Sequence, residues 1–543
     1  MHRFGTTILL VLFLTTPLAH PASQPLFPTI VVDVPGRPPS MHYSAEVWSG
    51  EAWMSVYVFE TTSKEEVQSP SNGYFRHLTN WTTSWVSSQL TATGTVLLRV
   101  KRKGNAPIAK AAVHPRSSEA VVVNISATDG VIISVSKQAR IAIDFDGEMD
   151  ETDTGPSYSG PPVHSFCWFV DEEISNLPDP SAPSTIIVQP GDEWPNAKEN
   201  STVIFAPGVH RATLPFPRNW TIYNLTANTR YFFCAGSIVH SALHGGIGQW
   251  GQIGIIVDGY GVLSGEEMWR ADDPNNDSPQ GIVYSGVQNS SVRGVTLIDF
   301  PNHHIILGQF PGDELRNVKV LGWRSNGDGV HVFSSWKVSD LFLRTQDDSF
   351  YLTCGGGCSA SFERITTWND ANGVAFLFSP GGGDVEAVTL RDSDSIYSRT
   401  SWYWWGPNTV FVNRGDAANA PMSGVVIDNV RVEDTLPAFN PFRIELLTPE
   451  VGASFHDVTF ANIWIANFST IRQSWPDSKP LPYGIPNTLF AVAPAKIYNV
   501  AFNNVTIGGF PLRNLVKNPN IFNISQYTVS NVTIDGIVVT ELL

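Results

Sequence analysis

A repeat constrains this chain more than any other feature. An apolar residue that follows a small polar cluster and opens an alternating run recurs at Val295, Val318, Leu341, Ile365 and Val388. The intervals are 23, 23, 24 and 23 residues; the series continues at Val425, Val458, Val500 and Val532, with intervals of 37, 33, 42 and 32. Self-similarity at a short fixed period means one supersecondary unit per repeat, and each unit must stack on its neighbours to bury its apolar face. The units are β-branched and lack a Leu/Asn consensus, which excludes leucine-rich repeats. Propeller blades need about 40–45 residues each. The pattern predicts a right-handed parallel β-helix, with the longer intervals as loops inserted into single coils.

The chain ahead of the repeat reads differently. Residues 53–59 (WMSVYVF), 95–100 (TVLLRV), 120–125 (AVVVNI) and 130–135 (GVIISV) alternate at period two between Gly, Pro and Asn turns. Short strands of this kind predict a β-sandwich. An acidic stretch at 144–153 and a Pro/Ser/Gly-rich one at 155–162 then read as linker, placing a boundary between 150 and 185. The expected organisation is all-β: a leader at 1–22, an N-terminal β-sandwich with its linker at 23–175, and the β-helix at 176–543.

Arg3 and the apolar run 6–16 (TTILLVLFLTT), followed by Ala19, Ala22 and Ser23, have the form of a secretory signal. Its removal takes Arg3 away and changes the net charge from −16 to −17. Asn-x-Ser/Thr sequons at Asn80, Asn124, Asn200, Asn219, Asn224, Asn276, Asn289, Asn467, Asn504, Asn523 and Asn531 agree with a secreted, glycosylated protein. With 34 basic against 50 acidic residues and no basic stripe, neither nucleic acid nor an anionic membrane is an expected partner. A monomer is expected, since no heptad seam is present. Four cysteines allow three pairings; a short Cys354–Cys358 loop would leave Cys167 with Cys234. No CxxC or HExxH motif suggests a metal, and no cofactor is expected.

The chemistry falls where the repeat is most regular. Asp328 lies in Asn326-Gly-Asp-Gly, ten residues after Val318, while Asp347 and Asp348 follow Leu341 by six and seven. Neighbouring coils stack one strand spacing apart, about 4.8 Å. Three carboxyls can therefore gather on one face of two coils, with separations near the ~6.5–9.5 Å of inverting glycosidases. Crowding of like charges holds one carboxyl protonated, which suits an acid beside a water-activating base. A calcium loop or a polar cap on a β-helix turn would use the same residue types.

With this spacing the chain resembles glycoside hydrolase family 49, the dextranases and isopullulanases, in which one Asp is followed 19 and 20 residues later by an Asp-Asp pair. Further similarity runs through Phe205-Ala-Pro-Gly-Val-His210, Asp258-Gly-Tyr-Gly-Val-Leu-Ser-Gly-Glu266 and Thr506-Ile-Gly-Gly509. The resemblance implies a β-sandwich followed by a β-helix. It also implies an inverting hydrolase of α-glucans such as dextran or pullulan, with Asp347 as general acid and Asp328 and Asp348 holding and deprotonating water. The family continues its pair with Ala-Ile-Lys, where this chain has Ser349-Phe350-Tyr351. Polygalacturonases share the Asp plus Asp-Asp arrangement, but their Arg-Ile-Lys cation pair is represented here only by Arg443-Ile444-Glu445. A pectin hydrolase is the alternative enzyme, and a non-catalytic carbohydrate-binding β-helix the alternative to an enzyme. For substrate contacts the candidates are His331, Trp368, Asp370 and Trp404; His303 and His304 read as structural.

Overall fold

The computed structural model describes most of residues 30–539. The longest stretches outside the described residues are 64–79, 150–161, 213–221, 269–277, 399–410, 434–441 and 467–486. The leader and Trp404 also lie outside them. Among the described residues no helix is long and apolar enough to cross a membrane.

Residues 43–171 form two five-stranded sheets. Leu98, Val131 and Ile133 of one sheet meet Ile141, Phe166 and Trp168 of the other in a common core. The second sheet is covered on its other face as well. Trp85, Cys167 and Phe169 point away from that core and pack with Ile298, Leu321, Phe342 and Trp368 of the repeat region. Burial on both faces explains why Ala139–Phe145 and His164–Asp171 are almost continuously buried, polar positions such as Arg140 and Asp144 included.

The repeat region is a parallel β-helix. Among the described residues the coils contribute strands to a 21-stranded sheet, in which two parallel rows run side by side, and to an 11-stranded sheet. Parallel pairing stacks Val292, Leu315, Val338, Phe362, Leu390, Ile427, Phe460, Phe502 and Ile534 in a single inward row. Each such side chain taken from water contributes roughly 1.5–3 kcal/mol.

One interval of the repeat is not a coil. Ile365 does not stack on Val388; its N–H donates to Ser393 Oγ at 3.1 Å, and the surrounding register matches Thr366 with Asp394. From Val388 onward the recurring apolar residue belongs to a neighbouring position of the coil, where Val458, Val500 and Val532 are true register partners. The similar residue types at both positions hide the change of row.

The corner between the two rows needs a left-handed residue. Asp392, Asn429, Asn462 and Asn504 supply it with φ between 50° and 54°. Asn and Asp tolerate this region because the short side chain bonds locally. Here the side chains also link coils: Asn429 Nδ2 donates to Asp392 Oδ1 at 2.6 Å, and Asn504 Nδ2 to Asn462 Oδ1 at 2.8 Å.

The expected pairing of Cys167 with Cys234 is corrected. Cys167 and Cys234 are both buried and free. They sit in different clusters, Cys167 against the β-helix and Cys234 with Ile204 and Phe232, so they form no bridge. Cys354 lies outside the described residues.

Candidate active site

The three aspartates come together just ahead of two central strands of the 11-stranded sheet. Asp328 lies two residues ahead of the strand Val330–Val332, and Asp347 and Asp348 lie between Lys337–Thr345 and Phe350–Leu352. The pairing of Val330 with Phe350 and His331 with Tyr351, continued two residues back, sets Asp328 against Asp348 on the next coil. Gly329 N–H donates to the Asp348 carbonyl at 2.9 Å and fixes that step. One oxygen from each of the three carboxyls lies within 4.8 Å of the other two.

Asp328 is held by two imidazoles. His331 Nε2 donates to its Oδ2 at 2.7 Å, and His303 Nδ1 lies 3.1 Å from its Oδ1. The two rings lie 4.2 Å apart. Burial pushes the Asp328 carboxyl up, but the charges and hydrogen bonds of His303 and His331 outweigh it and hold it well below the usual carboxylate range. Burial draws His303 down, yet Asp328 more than compensates and its imidazole titrates above its ordinary value. At His331 burial wins and the shift is downward. One carboxylate shared by two imidazoles favours the proton on one of them. His304 faces elsewhere: its Nδ1 donates to the Asp328 carbonyl at 2.9 Å, and burial lowers it to about 4.

The Asp347–Asp348 peptide is held from both sides. Thr345 Oγ1 donates to the Asp347 carbonyl at 2.7 Å and Asn369 Nδ2 to the same oxygen at 3.0 Å. The Asp347 carboxylate accepts the Asp348 N–H at 3.0 Å, and Asp348 Oδ1 accepts the Val374 N–H at 2.9 Å. Gly373 is the close neighbour, with φ +76°; a Cβ there would lie 2.1 Å from the Asp347 carbonyl carbon and 2.2 Å from the Asp348 nitrogen. Only glycine fits that approach.

Of the other candidates, His331 lies at the cluster, whereas Trp368 and Asp370 do not line it. Trp368 is buried in the seam between the β-helix and the N-terminal unit. Asp370 is wholly buried there, accepting from Arg344 Nε at 2.8 Å, Gln346 Nε2 at 3.0 Å and Trp368 Nε1 at 2.5 Å. Substrate contact is therefore withdrawn for both. Their side chains leave the coil on the side that the N-terminal unit covers.

No family model matches the chain. A dextranase of Arthrobacter globiformis is 24% identical over 245 residues, which cover 39% of this chain and 36% of that protein. A probable rhamnogalacturonase E of Aspergillus niger is 22% identical over 213 residues, covering 37% of this chain and 44% of that one. Among solved structures, Dex49A from Penicillium minioluteum superposes with a TM-score of 0.71 at 16% identity, over 93% of this chain and 96% of that one. The chain resembles the family 49 dextranases. The likeness to Dex49A carries the parallel β-helix fold, and the match to the dextranase spans little more than a third of that relative's length.

Within this dextranase-like frame, sequence reasoning missed two residues at the cluster besides Gly373. His303 reads as structural in the sequence, yet the register that joins Ile305 to Val330 puts it opposite Asp328. Tyr351, the register partner of His331, stands half-buried with its ring 4.7 Å from that imidazole. In both cases counting residues from the paired strands is the signal that finds them.

Proposed function

We propose that the chain is a secreted glycoside hydrolase that cleaves α-glucosidic bonds of a neutral glucan such as dextran or pullulan, by an inverting mechanism. The observation that carries this reading is the gathering of three carboxyls within 4.8 Å, one of them clamped by two imidazoles. Glycoside cleavage needs one proton donor and one base acting on an oxocarbenium-like transition state. Asp347 is assigned as the acid that protonates the leaving oxygen. Asp328 and Asp348 are assigned to hold the water, and Asp328 stays ionised because of its imidazoles.

The second reading is retention, in which a carboxylate about 5–5.5 Å from the acid attacks the sugar carbon. Against it, both Asp328 oxygens are engaged by imidazoles, which suits accepting a proton from water better than covalent attack on carbon. A neutral substrate is supported at the Arg443 position. There Arg443 is paired with Glu445, Nη2 to Oε2 at 2.7 Å, and so is already neutralised rather than available to a uronate. Secretion is supported by the sequons: Asn80, Asn124, Asn200, Asn224, Asn289, Asn504, Asn523 and Asn531 are all exposed, while Asn219, Asn276 and Asn467 lie outside the described residues.

The test is reducing-sugar release from dextran, pullulan and polygalacturonate, with Asp347→Asn alongside. Release from a glucan alone, lost in the variant, is the expected result. Release from polygalacturonate moves the chain to the pectin hydrolases, and an inert wild type that still binds glucan makes it a binding protein. Proton NMR of the first-formed anomer separates inversion from retention.

A further inference from the structure

The strand Lys337–Thr345 carries, at its end, both a buried cation of the seam and the start of the aspartate turn. Arg344 is 1% exposed. Its guanidinium lies between two indole rings, 4.5 Å from Trp323 and 4.2 Å from Trp368. One side of the fork donates through Nε to Asp370 Oδ2 at 2.8 Å. The other reaches across the seam, where Nη1 donates to Thr83 Oγ1 at 2.6 Å and to Ser165 Oγ. Thr83 and Ser165 belong to adjacent, parallel strands of the N-terminal unit.

Asp370 passes the constraint on. It accepts from Gln346, the residue directly before Asp347. Its own predecessor, Asn369, donates to the Asp347 carbonyl. The Asp347 peptide is thus bracketed by groups whose positions depend on Arg344. A planar guanidinium stacked between two rings and bonded at both ends has little freedom to adjust.

We propose that the N-terminal unit sets the geometry of the reactive Asp347–Asp348 pair, through Thr83 and Ser165 acting on Arg344 and Asp370. This rests on the hydrolase reading above. None of the four touches substrate; they are positioning residues. The seam is then part of the catalytic apparatus and not merely adhesive.

The test is the double variant Thr83→Val with Ser165→Ala, which keeps volume and removes both hydroxyls. A displacement near 1 Å at reacting groups costs about 10²-fold, so kcat is expected to fall by roughly 10- to 100-fold, with KM changing less than about twofold. Thr83→Ser, which retains the hydroxyl, should keep the wild-type kcat. Glu172→Gln, which removes an ion pair with Arg316 elsewhere on the seam, should leave kcat unchanged. Hydrogen exchange of peptides covering 345–349 should quicken in the double variant and not in Thr83→Ser. If the double variant is not secreted, Thr83→Val alone carries the same comparison. An unchanged kcat in the folded variant, a loss that only tracks the unfolded fraction, or unchanged exchange at 345–349 overturns the proposal. An inert wild type whose 345–349 exchange still responds overturns only the hydrolase reading.

Discussion

Asp328 and Asp370 are both buried acids of the central coils, and they serve opposite ends. Asp328 sits just ahead of a central strand of the 11-stranded sheet beside two other carboxyls, gripped by His303 and His331. Asp370 sits in the seam, gripped by Arg344, Trp368 and Gln346. Burial pushes both carboxyls up. At Asp328 the imidazoles more than reverse this, whereas at Asp370 burial prevails over the pull of Arg344 and the net shift is upward. Titratable partners and crowded acids make a place for proton transfer; a permanent cation, one indole N–H and an amide make a joint. The residue type is the same, and the side of the coil decides.

The sharpest way to break that contrast is to exchange the expected losses. Asp347→Asn should cut turnover by about 10²–10⁴-fold, the usual worth of general acid catalysis, while the melting temperature stays within a few degrees. Asp370→Asn should do the reverse in emphasis. It leaves the Arg344 charge buried without its carboxylate partner, which costs about 3–5 kcal/mol and is read as an early denaturant midpoint. If Asp370→Asn melted like wild type, the joint would not be a joint.

Gly373→Ala tests how closely the next coil shapes the aspartate turn. The Cβ would meet the Asp347–Asp348 peptide, so kcat should drop by about 10²-fold, the scale of a 1 Å displacement, in a protein that still folds.

His303→Gln and His331→Gln probe the imidazole grip through pH. In the wild type Asp328 stays ionised below the usual ~3.9 of an aspartate. Weakening the grip raises its folded pKa, so the acid limb of kcat/KM should move to higher pH in both variants. The stability consequence has a definite sign. The depressed Asp328 stabilises above about pH 3.9 and loses that contribution as pH falls through its folded value. The raised His303 stabilises below about pH 6.5 and loses its contribution as pH rises through its folded value. The pair therefore contributes most between those limits, and the melting temperature of His303→Gln should differ from wild type most in that window. The smallest effect belongs to the corner ladder: Asn504→Gly, which removes one inter-coil bond and accepts the left-handed backbone, should cost about 0.5–1.5 kcal/mol and leave turnover alone.

The Asp328 side of this contrast is legible from the residues alone, and the Asp370 side is not. The β-helix could be read because coil stacking demands apolar residues at recurring positions. The Asp328 to Asp347–Asp348 spacing survived because the turns between those strands hold no insertion. Trp368 and Asp370 were misplaced because alternation tells inward from outward, while nothing in a strand tells which outward face a second unit covers. His303 was passed over because its partner lies a coil away, and a neighbouring His304 with a purely structural bond looks the same in sequence. The Ile365 to Val388 interval misled because adjacent positions of the coil carry interchangeable residues.

The seam has a mechanical consequence. A solenoid held only by nearest-neighbour contacts behaves as a chain of weakly linked springs and frays from its ends. Here the N-terminal unit lies along it as a splint, fastened at Glu266 through Arg37, at Lys319 through Asp171, at Asp340 through Arg140, at Arg344 through Thr83, and at Glu433 through His114. The splinted coils, with the aspartates among them, should yield together as one block under heat or pulling force. The coils past Glu433, from Ser454–Ile465 to Val529–Ile534, are then free to peel first without disturbing that block.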